Sequence, residues 1–313
     1  MEYTTLGRTG LRVSVAGLGS GGHSRLGQAT GKSEQESIKI IHTALDFGIN
    51  FFDTSRDYKT EKLLAKALKN LRREHLVLST KERSHSQGEP ITPEQLRKAL
   101  EESLRNLGTD YVDIYHLASL QPGDYLYAFN ELVPVLLKSK EQGKVRFIGV
   151  SEKFDTDTEH HMLERALRDD CWDVVMAGFN IINQSAREKV FQKTRQKNIG
   201  VLGMFAVRRT LSRQENLKQA MFELKAKGLV EPHLVDDNDP LGFLFHDRGA
   251  LSLQDAAYRY CRHEPGLDVV LFGTGNLKHL EANVNSLLRP PLPDDDWHRL
   301  KELFLKVEQF SGN

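Results

Sequence analysis

The stretch Ser33–Asp53 reads SEQESIKIIHTALDFGINFFD, and it contains one complete architectural unit. Ser33 and Glu36 form a capping box, in which the two side chains satisfy backbone N–H groups that the first helical turn leaves unpaired. Ile38, Ile41 and Leu45 then fall on one helical face, and Gly48 stops the helix. The period changes at once. Asn50–Asp53 is a short apolar run ending on an acid, as expected of a strand buried on both faces.

The same alternation extends in both directions. Further apolar runs lie at Val15–Leu18, Leu76–Thr80, Tyr111–Leu117, Val145–Val150, Asp173–Phe179, Gly200–Met204 and Val269–Phe272, which makes eight with Asn50–Asp53. Helical patterns fill the gaps. Thr92-Pro93-x-Gln95 starts one, followed by Leu96, Leu100, Leu104 and Leu107 at helical spacing. Others cover residues 60–70, 125–142, 157–168, 185–197, 213–228 and 276–288. Alternating strands and helices give a closed parallel barrel or a doubly wound sheet, and the count of eight favours an α/β fold of the (β/α)8 (TIM) barrel type. Glu2–Val15 alternates polar and apolar about Arg8-Thr9-Gly10, which predicts an N-terminal β-hairpin. Pro232–Gly249 reads as a long loop before the last strand. Pro290-Pro291-x-Pro293 turns the chain into an extra helix near Asp294–Phe310.

The chain has 313 residues, enough for one such domain over residues 1–313, since a barrel of this kind needs about 250. Lys plus Arg and Asp plus Glu both number 43, and this balance argues against nucleic acid or an anionic membrane as the main partner. Cys171 and Cys261 form no CxxC and read as ordinary thiols of a reducing compartment. The opening MEYTTLGRTG lacks an apolar signal region, and no run reaches the ~18 apolar residues of a membrane span, so a cytoplasmic protein is expected.

In a parallel barrel, chemistry sits at the C-terminal ends of the strands. Asp53 ends the second run, with Tyr58 five residues on. Lys81 follows the third, His116-Leu117-Ala118 ends the fourth, and Ser151-Glu152 ends the fifth. Asn180 ends the sixth, residues 204–209 end the seventh, and Gly273-Thr274-Gly275 leads from the eighth into a helix. Asp53, Tyr58 and Lys81 together make an acid–base set. A phenol of pKa about 10 is a poor proton donor or acceptor at neutral pH, and a nearby ammonium, held by a carboxylate, would lower that value. The glycine-flanked helix start could meet a phosphate, and Arg208-Arg209 could clamp a pyrophosphate. Taken singly, each residue has an ordinary structural role: a cap or ion pair for Asp53, packing for Tyr58, a solvated strand end for Lys81, a core position for His116 and a solvated helix start for His160-His161. No ligand cluster with metal-binding spacing is present, so no metal is expected.

Five ordered motifs resemble the aldo-keto reductase family: Tyr3–Ser14 (YTTLGRTGLRVS), Gly48–Ser55 (GINFFDTS), Ser79-Thr80-Lys81, Gly108–Asp113 (GTDYVD) and Gly143–Ser151 (GKVRFIGVS). The resemblance runs nearly end to end. It implies the (β/α)8 fold, a nicotinamide cofactor bound without a Rossmann domain, and carbonyl reduction by hydride transfer with Asp53, Tyr58 and Lys81 as catalytic residues and Tyr58 as proton donor. The family's fourth catalytic residue, a histidine, aligns with Ala118, while His116 stands two positions earlier and so one layer deeper. The cofactor would meet Ser151, Glu152, Asn180, Met204, Phe205, Arg208, Thr274, Gly275, His279 and Asn283. NADP(H) is expected ahead of NAD(H), with Lys278 compensating for basic residues that are Gly273 and His279 here. The family's glycine after the tyrosine is Lys59. The partner expected is a small carbonyl compound or the matching alcohol or sugar. The alternative is a catalytically weak or inactive cofactor-binding homologue, acting as a sensor or partner subunit. A metal-dependent barrel hydrolase would need ligand clusters that are absent from the strand ends.

Overall fold

The computed structural model describes residues 1–86 and 88–313. Eight parallel strands close into a barrel: β1 (Ala16–Gly19), β2 (Phe51–Asp53), β3 (Val77–Arg83), β4 (Val112–Leu120), β5 (Val145–Glu152), β6 (Val174–Gly178), β7 (Gly200–Met204) and β8 (Val269–Phe272). They pair in chain order, and β8 returns to β1. The apolar runs place β7 and β8 residue for residue. They miss the ends of β3, β4 and β5, which continue into polar residues because backbone pairing at the rim (Lys81 to His116, Arg83 to Ala118) is indifferent to side-chain polarity.

The predicted hairpin forms from Tyr3–Thr5 and Arg12–Ser14. It is the floor of the barrel. Leu6, Leu11 and Val13 pack with Phe51, Val77, Ile114, Val174, Met176, Leu202 and Val269, which fill the interior from the strands. A second, larger cluster lies between strands and helices, and holds Ile40, Ile41, Leu96, Leu100, Leu163 and Trp172. Burial on both faces explains why the strands read as continuous apolar runs.

Both predicted capping boxes are present, at Ser33 with Glu36 and at Thr92 with Gln95. The helix over residues 125–141 contains a π-turn at Ala128–Leu132, just before Pro134, whose missing N–H breaks the ordinary ladder. One helix, Leu253–Arg262, went unread in the sequence although Ser252 caps it by accepting from the Asp255 N–H. Its buried face is carried by Leu253, Ala256, Ala257, Tyr260 and Cys261, a clear amphipathic pattern that the sequence reading passed over. The extra helix is Asp294–Leu303, shorter than predicted, and the chain beyond it runs back over the barrel mouth. No described helix is long and apolar enough to cross a membrane.

Candidate active site

At the C-terminal end of β2, Asp53 is buried and paired on both oxygens: Oδ1 accepts from the Ser79 hydroxyl (2.9 Å) and Oδ2 from Lys81 Nζ (2.5 Å). Ser79 and Lys81 alternate along β3, so both point into the barrel. Lys81 Nζ also donates to the Thr54 carbonyl at 2.8 Å. Burial alone would lower the Lys81 pKa, but the Asp53 carboxylate and then Tyr58 outweigh it, and the net shift is upward. The ammonium therefore keeps its charge through neutral pH.

Tyr58 ends a short 3-10 turn, Arg56–Tyr58, and Lys81 Nζ lies 5.1 Å from its ring centroid. Two backbone features put the ring there. Lys59 takes the left-handed conformation (φ 58°), donating its N–H to the Arg56 carbonyl, which explains why glycine suits this position. Gly21, just past β1, lies flat under the ring, where any Cβ would collide with it. The three residues that the sequence grouped therefore converge.

On β4, His116 is the register partner of Lys81, and Ala118 that of Arg83. His116 is fully buried, with its ring over Gly149 of β5 where a Cβ would otherwise sit. Neither ring nitrogen has a hydrogen-bond partner among the described residues. Burial, then the Lys81 charge, push its pKa down to about 3, so it is a neutral imidazole. It lies one layer below Ala118, as the strand count requires.

The cofactor candidates divide into groups. Ser151 lies nearly buried at the end of β5. Glu152 is a correction: its carboxylate is bound by His160 Nδ1 (2.9 Å) and by the Gly178 N–H (2.8 Å), sealed between strands with no oxygen left for a ligand. Burial raises its pKa despite these partners. His160 is corrected with it, being fully buried and stacked on Phe154 rather than solvated. Nothing in its sequence neighbourhood announces that partnership, because Glu152 and His160 meet only through the loop between them.

Past β7, Phe205 adopts a left-handed backbone (φ 69°) and meets Phe154 edge-on, and the Arg208 guanidinium covers its ring at 4.1 Å. Met204 is partly buried and packs on the inner core. The segment Ser311–Asn313 lies across this group. Asn180 donates to the Ser311 carbonyl (3.3 Å), the Thr210 N–H to the Gly312 carbonyl (3.0 Å), and Arg208 Nε to Asn313 Oδ1 (3.0 Å). Past β8, Thr274 accepts from the Asn276 N–H, and Gly275 packs against Gly27 so closely that a Cβ would not fit. Asn276, which the sequence reading passed over, caps the helix Leu277–Leu287 and takes the N–H groups of Lys278 and His279. Two of the donors expected to meet a phosphate are thus already bound. His279 and Asn283 lie on that helix, with His279 exposed.

The family model for the aldo/keto reductase family matches residues 17–304. The chain belongs to the aldo/keto reductase family. An aldo/keto reductase from Bacillus subtilis, YhdN, is 27% identical over 304 residues, 90% of this chain and 87% of that one. L-galactose dehydrogenase from Arabidopsis thaliana is 34% identical over 209 residues, 64% of each chain, so the match spans less than two thirds of that relative. An NADH-specific methylglyoxal reductase from Escherichia coli is 30% identical over 224 residues, 64% of this chain and 66% of that protein. Among solved structures, aldo-keto reductase AKR11C1 from Bacillus halodurans in its holo form superposes with a TM-score of 0.76 at 23% identity, covering 97% of this chain and 96% of that one. As an aldo/keto reductase this protein is an oxidoreductase of the nicotinamide-dependent kind. No group of three or more His, Cys, Asp or Glu side chains among the described residues could hold a metal.

Proposed function

We propose that this aldo/keto reductase reduces a small aldehyde or ketone, or oxidises the matching alcohol or sugar, with Tyr58 donating the proton and NADP(H) bound in preference to NAD(H). The observation that carries the reading is the buried Asp53–Lys81 pair facing the Tyr58 ring, with Nζ at 2.5 Å from the carboxylate and 5.1 Å from the ring centroid. A charged lysine held there faces the negative charge that develops on the phenol oxygen as Tyr58 passes its proton to a carbonyl oxygen. Asp53 keeps the ammonium in place, and Ser79 fixes the remaining carboxylate oxygen.

The residues present fit a nicotinamide dinucleotide in their donor chemistry. Hydroxyls at Ser151 and Thr274, the Asn180 amide and the Arg208 guanidinium surround the barrel mouth, and Gly273 and Gly275 leave backbone there that a side chain would crowd. When bound, the reduced nicotinamide supplies the hydride to the carbonyl carbon. Ser151 is assigned to its amide and Arg208 to the pyrophosphate.

The relatives include an L-galactose dehydrogenase and a methylglyoxal reductase, which supports small oxygenated substrates for this chain as well. The test follows NADPH and NADH absorbance against a panel of aldehydes, with Tyr58→Phe as control. Consumption of reduced cofactor that disappears in the variant supports the reading; none with any aldehyde overturns it.

The segment Ser311–Asn313 bonds Asn180 and Arg208, groups assigned here to the cofactor side, and also the nearby Thr210 N–H. Each such bond is worth about 1 kcal/mol net. Removing residues 311–313 is therefore expected to tighten NADPH binding by a few-fold to about tenfold in calorimetry. Unchanged or weaker binding would assign the segment a purely structural role. The same occupancy, with the sealed Glu152, is what favours the second reading, a cofactor-binding homologue with little turnover; it requires calorimetric binding without any Tyr58-dependent reaction.

A further inference from the structure

At the layer above Lys81 the site carries a cation that the reaction just proposed does not use. Ser79, Lys81 and Arg83 alternate along β3 on the inward face, so Arg83 stands two residues, roughly 6.6 Å, nearer the mouth than Lys81. Its register partner across the β3–β4 pairing is Ala118. The Arg83 side chain is 60% exposed, and its Nε is held by Asp57 Oδ2 at 2.7 Å. Asp57 immediately precedes Tyr58. The guanidinium is therefore tethered to the same short turn that carries Tyr58, while the Ala118 methyl beside it on β4 is buried. The contact to Asp57 is an ion pair at Nε, and the two terminal nitrogens, which grip a carboxylate in parallel, lie beyond it.

We propose that Arg83 is a specificity-determining residue, and that the preferred substrate is a small oxo acid whose carboxylate lies several bonds from its aldehyde or ketone. The inference rests on the reductase reading of the same site and adds the substrate class to it. The carbonyl sits at Tyr58 while the carboxylate reaches up to the exposed Arg83 guanidinium at the barrel mouth. The hydride and its electron pair pass from the reduced nicotinamide to the carbonyl carbon, the proton from Tyr58 passes to the carbonyl oxygen, and the products are a hydroxy acid and the oxidised cofactor. The carboxylate is unchanged. Other charged groups near this rim are paired among themselves: Arg56 with Glu82 at 2.6 Å, and His85 with Asp124 at 3.5 Å.

The test compares para-carboxybenzaldehyde with its methyl ester, which differ in charge and little in shape, in the full-length enzyme with NADPH and NADH. The acid is expected to show a kcat/KM about twofold to fivefold higher, the range of a solvent-exposed ion pair, with the difference mainly in KM and shrinking as salt is raised. In Arg83→Ala the ratio of acid to ester falls towards one, and Arg83→Lys keeps part of it because the charge stays while the fork is lost. Equal use of acid and ester by the wild type, or a ratio that survives Arg83→Ala, overturns the inference while leaving the reductase standing. No cofactor consumption with either compound, or with the wider aldehyde panel, removes the reductase reading itself and this inference with it.

Discussion

Replacing Tyr58 by Phe is expected to lower kcat by about 10²- to 10⁴-fold, with a much smaller change in KM, the range for loss of a positioned general acid. The ring itself should stay in place, because Gly21 and the left-handed turn at Lys59 position it through backbone geometry rather than through the hydroxyl. Steady-state kinetics on the best aldehyde of the panel, with circular dichroism to confirm the fold, make the measurement. A variant that retains a tenth or more of wild-type kcat would show that the proton comes from elsewhere. His116 is a weak candidate for that substitute, since burial and Lys81 hold it neutral and it lies a layer below the mouth.

Lys81→Met should fail in stability as well as activity. The substitution leaves the Asp53 carboxylate buried with only the Ser79 hydroxyl and no cation, and an uncompensated buried charge typically costs about 3–5 kcal/mol. A urea titration should show the midpoint falling accordingly. In the wild type the pair's pH dependence lies at the basic end. The Lys81 pKa is raised in the folded protein, so its stabilising contribution is complete below the ordinary lysine value of 10.5 and fades as the pH climbs through the higher folded value. The double variant Asp53→Asn, Lys81→Met removes both charges and should recover a large part of the lost stability, but none of the activity. A single variant as stable as wild type would mean that the pair is solvated and not the sealed unit described above.

The proposed catalytic set was legible in the sequence because its members sit where apolar runs stop or just after, although β3 continues two residues past Lys81. Asp53 and Lys81 needed no more than that. The cofactor side was less legible. Ser151 and Thr274 could be placed on their strand ends, but the commitment of Glu152 to His160 could not, since a loop must fold back before the two meet. The helix Leu253–Arg262 and the cap at Asn276 were passed over although the helix is plainly amphipathic and both starts carry an ordinary capping residue.

What the sequence determined by itself is the alternation of eight doubly buried strands with amphipathic helices, hence the barrel, and the side of it on which the polar residues gather. Those are consequences of local period and of capping, which act over a few residues. What only the tertiary structure decided is which polar groups remain open to a ligand. Closure of the barrel brings β2, β3 and β4 into register, so that Arg83 lies beside Ala118 and Lys81 beside Asp53. The return of the chain over the mouth then bonds Ser311–Asn313 to Asn180, Arg208 and Thr210. Such pairings join residues 28 to more than 100 positions apart, and no periodicity within the chain encodes them.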